Sequence, residues 1–194
     1  MAHHIYHTRG VILGSGARGE SNRFYKIFTE ELGLIETTAQ SVREGKSKLR
    51  YVLQDYSMIF VDLVRGKEAW RITSASEEET TNFSGSENQK KLFAKMCALN
   101  ARLLQGEGQE KKLFTDLRAL ADFLKKGKLP RALLPTLEIL VATRSLSFLG
   151  YIDGADFNSF LNAGEFSEKL VEQFVAITPK ALLAVNNALA SSHL

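Results

Sequence analysis

With 194 residues and 21.6 kDa the chain holds one large domain or two small ones, which excludes a large multidomain enzyme. A hydrophobic fraction of 44% and a charged fraction of 24% exclude wholesale disorder, and a single cysteine, Cys97, excludes an internal disulfide or a multi-cysteine zinc site and suits a reducing cytosol. The formal charge of +3 lies wholly in residues 1–75, which carry 11 basic and 8 acidic side chains against 14 of each in the remainder.

Residues 5–75 read as short strands divided by turn residues. Residues 6–13 are rich in β-formers, and 14–19 form a glycine-dense loop between strands. Residues 23–29 continue with aromatic and β-branched side chains, 30–33 make a turn, and 34–42 are again Ile- and Thr-rich. Residues 57–64 form a strongly apolar strand, 65–68 a hairpin loop, and 69–74 a strand that places Trp70 and Ile72 on one face by period-two alternation. Five strands in this span match a small, partly open barrel of the OB type. In it Phe24, Phe28 and Phe60 are expected in the core, while the tyrosines are open between core and surface.

Residues 76–89 are polar and read as a linker before a helical domain over 90–194. From there the period is 3.6. Leu92, Phe93, Met96, Leu99, Leu103 and Leu104 form one apolar stripe, and Leu113, Phe114, Leu117, Leu120, Ala121 and Leu124 a second. Pro130 opens a third helix, with Pro135 placing its regular part a turn later or bending it; Gly150 stops it. A short helix is expected within 156–162. Phe166, Leu170, Phe174 and Ile177 mark the next, and Thr178-Pro179 reads as cap and first turn of the last. The fold class is therefore α+β in series, a five-stranded OB-type barrel followed by an all-α domain. No window approaches eighteen uninterrupted apolar residues and the first nine residues lack a signal peptide's apolar run, so the expectation is a cytoplasmic protein with no membrane span.

Gly14-Ser15-Gly16-Ala17-Arg18-Gly19 is a formal G-x-G-x-x-G, but strands come first and helices after, so the alternating units that give the motif its meaning are missing. The better reading is a flexible loop that carries Arg18. His3, His4 and His7 have no cysteine or carboxylate neighbours with zinc spacing, and Cys97 lies mid-helix with no base in view, so no metal, cofactor or catalytic residue is assigned and no enzyme is expected. Arg43, Lys46, Lys48 and Arg50 are opposed locally only by Glu44. With Arg23, Lys26, Tyr25, Tyr51 and Tyr56 in the same segment, they combine the cations and aromatic faces that single-strand binders use.

The order of several fragments resembles the bacterial DNA repair protein RecO family: residues 8–13 (TRGVIL), 19–23 (GESNR), 27–35 (IFTEELGLI), 46–50 (KSKLR) with Leu53-Gln54, 65–70 (RGKEAW) with Ile72-Thr73, and Leu149-Gly150-Tyr151. The resemblance implies an OB barrel followed by a helical domain, and a non-enzymatic role in recombinational repair. Members bind single- and double-stranded DNA, anneal complementary strands and, with RecR, help load RecA onto DNA coated by single-strand-binding protein. Arg18, Arg23, Lys46, Lys48 and Arg50 would contact phosphates. A basic run in the helical domain, Lys125, Lys126, Lys128 and Arg131, would rim a groove for the acidic tail of single-strand-binding protein. Two departures stand out. No cysteines follow Leu149-Gly150-Tyr151 where many relatives carry a zinc module, and Ser41 occupies a place where the family pattern has glycine.

Overall fold

The computed structural model describes residues 4–42, 47–67, 69–78, 86–127 and 129–192. The chain divides into two compact units, one of Met1–Asn82 with Leu104–Phe114 and one of Phe83–Leu103 with Thr115–Leu194.

The first unit is an OB-type barrel. Strands β1 (Ile5–Arg18), β2 (Asn22–Thr29), β3 (Gly33–Ala39), β4 (Met58–Arg65) and β5 (Trp70–Glu77) close in the order β1-β2-β3-β5-β4. β1 closes it by pairing with β4 through its first half and with β2 through its second. The register shifts between Ile12 and Gly14, where the strand bends from one partner to the other. The glycine-dense stretch is therefore strand and not loop, since pairing runs on through Ala17↔Arg23 and Arg18↔Asn22. Gly16 permits it: a Cβ there would sit 2.3 Å from the Phe24 ring, which lies across the bare backbone. Inward residues Ile12, Tyr25, Ile27, Ile35, Ile59, Val61, Leu63, Trp70 and Ile72 make the core. Helix α1 (Leu49–Val52), which the sequence pattern did not announce, sits between β3 and β4 and lays Leu49 and Val52 against that core.

The stretch Leu104–Phe114, within the span 90–194 read as the helical domain, groups with the barrel. Leu34 N–H donates to the Gly106 carbonyl at 3.1 Å, the Trp70 indole donates to Glu107 at 3.0 Å, and Phe114 meets Phe28 edge-to-face at 5.5 Å. Phe28 is thus buried on the outer face of the sheet. Gly33 is essential to this seam, with φ of +73° and a Cβ position only 2.2 Å from the Gly108 carbonyl oxygen. Gly33→Ala should cost about 2–4 kcal/mol, combining left-handed backbone strain with a backbone clash. Urea unfolding measures it, and a loss below about 1 kcal/mol would show that the seam yields freely.

The second unit is helical: α2 (Glu87–Leu103), most of α3 (Lys111–Lys125), α4 (Leu134–Phe148), α5 (Asn158–Leu161), α6 (Glu168–Phe174) and α7 (Thr178–Ser191). α4 packs against α2, α6 and α7 and is buried nearly all round, through Leu137, Leu140, Val141, Thr143, Arg144 and Leu146. A 3₁₀ turn over Arg131–Leu133 precedes it and Pro135 occupies its first turn, as the two prolines suggested. Thr178 is not a cap: Ile177 precedes the helix and the Thr178 hydroxyl donates back to the Phe174 carbonyl at 3.0 Å, because a 3₁₀ turn joins α6 to α7 without a break. Ser167 is the side-chain cap, accepting from Leu170 N–H at 3.2 Å. That joined run, Glu168–Ser191, is long and apolar enough to cross a membrane by length and composition alone. It turns Leu170, Val171, Phe174, Ala181 and Val185 into the unit's interior. Cys97 is fully buried, and burial pushes its thiol far above the ordinary range, so it is a structural thiol.

Candidate nucleic-acid interface

In β2, residues two apart share a face, so Arg23, Tyr25 and Ile27 form one row and Phe24, Lys26 and Phe28 the other. Tyr25 and Ile27 are wholly buried in the barrel, and Arg23 stands half-buried where that row reaches the barrel's end. Opposite, α1 carries Arg50 into the same place. Arg23, Tyr25, Val42, Arg50 and Leu53 line one pocket of about 290 Å³. Burial holds the Tyr25 phenol above its usual pKa, with Arg23 pulling it down and Asp55 pushing it up, so the group is a neutral O–H donor. Its hydroxyl is buried without a hydrogen-bond partner among the described residues.

Lys48 and Arg50 are exposed around the start of α1, and Tyr51 beside them is 69% exposed. Lys46 lies outside the described residues. Arg18, also exposed, lies elsewhere: it lines a cleft of about 680 Å³ with Phe24, Trp70, Glu36 and Glu107. The five expected phosphate contacts thus divide. Arg23 and Arg50 meet around one pocket with Lys48 nearby in sequence, while Arg18 belongs to a cleft that two carboxylates share. Phe24 and Phe60 are 40% and 42% exposed, against the expectation that they fill the core. Phe24 has the opposite parity to Tyr25 and Ile27, a signal already present in the alternation. Phe60 lies under the Arg9 guanidinium at 5.4 Å.

Pairing separates the barrel's cations into two sets. Arg9, Lys26 and Arg65 lie 3.9, 3.2 and 3.2 Å from Glu30, Glu36 and Glu107. Among the described residues, Arg18, Arg23, Lys48, Arg50, Lys67 and Arg71 have no carboxylate within ion-pair distance. Only the second set is free to neutralise an external anion without first giving up a partner. The backbone around it is unusual. Ser41 adopts φ of +53°, the left-handed conformation that favours glycine, with its N–H donating to Asn22 Oδ1 at 3.1 Å. Tyr56 has φ of +70° and donates its N–H to the Ile12 carbonyl at 2.8 Å.

In the helical unit Lys125 ends α3, Lys126 follows in the turn and Arg131 begins the 3₁₀ turn; Lys128 lies outside the described residues. Lys126 lines a pocket of about 320 Å³ with Phe123, Phe166, Ala119, Asp122 and Glu165. Arg131 is exposed but not part of it.

The family model described as Recombination protein O N terminal matches residues 1–77. A DNA repair protein RecO from Dehalococcoides mccartyi (strain CBDB1) is 30% identical over 137 residues, 70% of this chain and 54% of that protein. The namesake from Rubrobacter xylanophilus is 27% identical over 126 residues, 64% of this chain and 50% of its own length, and that from Trichodesmium erythraeum 36% over 91 residues, 46% and 31%. The chain spans about half the length of the first two of these relatives.

Proposed function

The chain belongs to the RecO family of DNA repair proteins, and from that premise we propose that it is a non-enzymatic recombination mediator that binds single- and double-stranded DNA and anneals complementary strands. The observation that carries this reading is that Arg18, Arg23, Lys48 and Arg50 are among the barrel cations with no carboxylate partner in the described residues, with Arg23 and Arg50 around one pocket. Annealing requires two polyanions to approach each other. Cations that are not already paired lower that repulsion without reading sequence, and release counterions as they do so. Tyr51, exposed beside Arg50, adds a face on which a base can stack, worth about 1–3 kcal/mol.

The family premise also brings partners. We assign RecR and single-strand-binding protein to this chain, with help in loading recombinase onto coated DNA, and place the acidic tail of single-strand-binding protein near Lys125, Lys126, Lys128 and Arg131. Lys126 beside Phe123 and Phe166 supports that placement, while Asp122 and Glu165 in the same pocket oppose an acidic occupant, so Lys126 and Arg131 must carry the attraction.

Fluorescence anisotropy of a labelled single-stranded oligonucleotide across a salt series tests the DNA reading. Four neutralised phosphates give log K against log[salt] a slope of about −3, so affinity falls about fiftyfold between about 50 and 200 mM salt. Absence of salt-dependent binding would leave a protein-interaction scaffold, whose barrel holds no nucleic acid, as the better account.

A further inference from the structure

We propose that Arg23, Arg50 and Tyr25 form a built phosphate pocket, in which the Tyr25 hydroxyl donates a hydrogen bond to one backbone phosphate of a single strand between the two guanidinium groups. The proposal rests on the DNA reading and deepens it from a diffuse basic surface to one defined subsite. Three observations meet here. The pocket, at about 290 Å³, has room for a phosphate group. Both of its cations lack a carboxylate partner among the described residues. Its buried side chain, Tyr25, is 0% exposed and yet keeps a hydroxyl with no hydrogen-bond partner there.

The third observation decides the matter. A phenylalanine would fill the same core position without the cost of a desolvated, unsatisfied hydroxyl. A buried donor on a residue that lines a cationic pocket gains its partner when a phosphate oxygen arrives. Charge-assisted hydrogen bonds to phosphate are about twice as strong as neutral ones. Asp55, whose charge also acts on Tyr25, accepts a hydrogen bond from the Ser15 hydroxyl. Two guanidinium groups outweigh that one carboxylate.

Neutral and charged contacts leave different marks on the salt series, and this makes the test specific. Tyr25→Phe removes a hydrogen bond and no charge, so its line of log K against log[salt] should run parallel to the wild type and about tenfold lower. Arg50→Gln removes one phosphate-neutralising charge, so its slope should be shallower by about 0.7. Thermal unfolding should place Tyr25→Phe at or above the wild-type Tm. A Tyr25→Phe line superimposed on the wild type, while Arg50→Gln shows its shallower slope, overturns the pocket and leaves the DNA reading standing. A marked fall in Tm for Tyr25→Phe also overturns it, because the hydroxyl would then have a structural partner. If the wild type binds no strand, inorganic phosphate is the second probe. Stabilisation of the wild type but not of Tyr25→Phe would show a free-phosphate site and overturn the strand assignment, and no stabilisation of either would overturn the pocket altogether.

Discussion

Arg144→Gln should destabilise the helical unit by about 3–5 kcal/mol, the range for breaking one partner of a buried ion pair. Arg144 is 1% exposed in the middle of α4. Its Nη1 donates to Asp116 Oδ1 at 2.6 Å, and its Nε and Nη2 both donate to the Phe160 carbonyl at 2.9 and 2.6 Å. The guanidinium also lies 4.5 Å from the centroid of the Phe166 ring. One side chain therefore ties α4 to α3 and α5, and to Phe166 in the segment between α5 and α6. Glutamine is too short to reach these acceptors together, and it removes the 2.6 Å guanidinium contact from the buried Asp116 carboxylate. Urea unfolding followed by helical circular dichroism measures the loss, which should appear as a lower midpoint at unchanged slope. Replacing both members by apolar residues of similar volume should recover part of it, because the buried carboxylate is then removed together with the guanidinium that faces it. A cost below about 1 kcal/mol would show that the network is not a mainstay of the unit.

Lys48→Glu combined with Arg50→Glu should lower single-strand affinity by at least about a hundredfold near 0.1 M salt, since two phosphate contacts are lost and two repulsions added. Both side chains are exposed, so stability should change by no more than about 0.5 kcal/mol. Lys26→Gln is the internal control. Lys26 lies 3.2 Å from Glu36, and removing an already neutralised cation should leave affinity within about twofold of wild type. Equal losses in both variants would mean that net charge alone governs binding, with no distinction between paired and unpaired cations.

Much of the barrel is legible in the sequence because a half-buried strand repeats every two residues, and Trp70 and Ile72 or Tyr25 and Ile27 state that period plainly. What escapes local reading depends on partners distant along the chain. Gly16 looks like a loop residue until Phe24, on the paired strand, needs the space that a side chain would take. The return of Leu104–Phe114 to the barrel rests on contacts such as Trp70 with Glu107, which no window of local periodicity includes. Ser41 hides a glycine-like turn because its conformation is held by Asn22, nineteen residues earlier. The candidate site divides the same way. Arg23, Lys48 and Arg50 are visible as a basic cluster in the sequence, whereas the separation of Arg18 follows from strand parity and pairing. The importance of Tyr25 cannot be seen before folding, since an unsatisfied hydroxyl is a property of its surroundings.

The most direct measurement of the central claim is the annealing rate of two complementary oligonucleotides, followed by fluorescence transfer, with the wild type and with Lys48→Glu/Arg50→Glu. Unpaired barrel cations that offset strand repulsion require acceleration by the wild type at about 50 mM salt, its decline toward about 200 mM, and its loss in the variant. Strands that anneal no faster with the wild type than alone, or equally fast with the variant, would contradict the account.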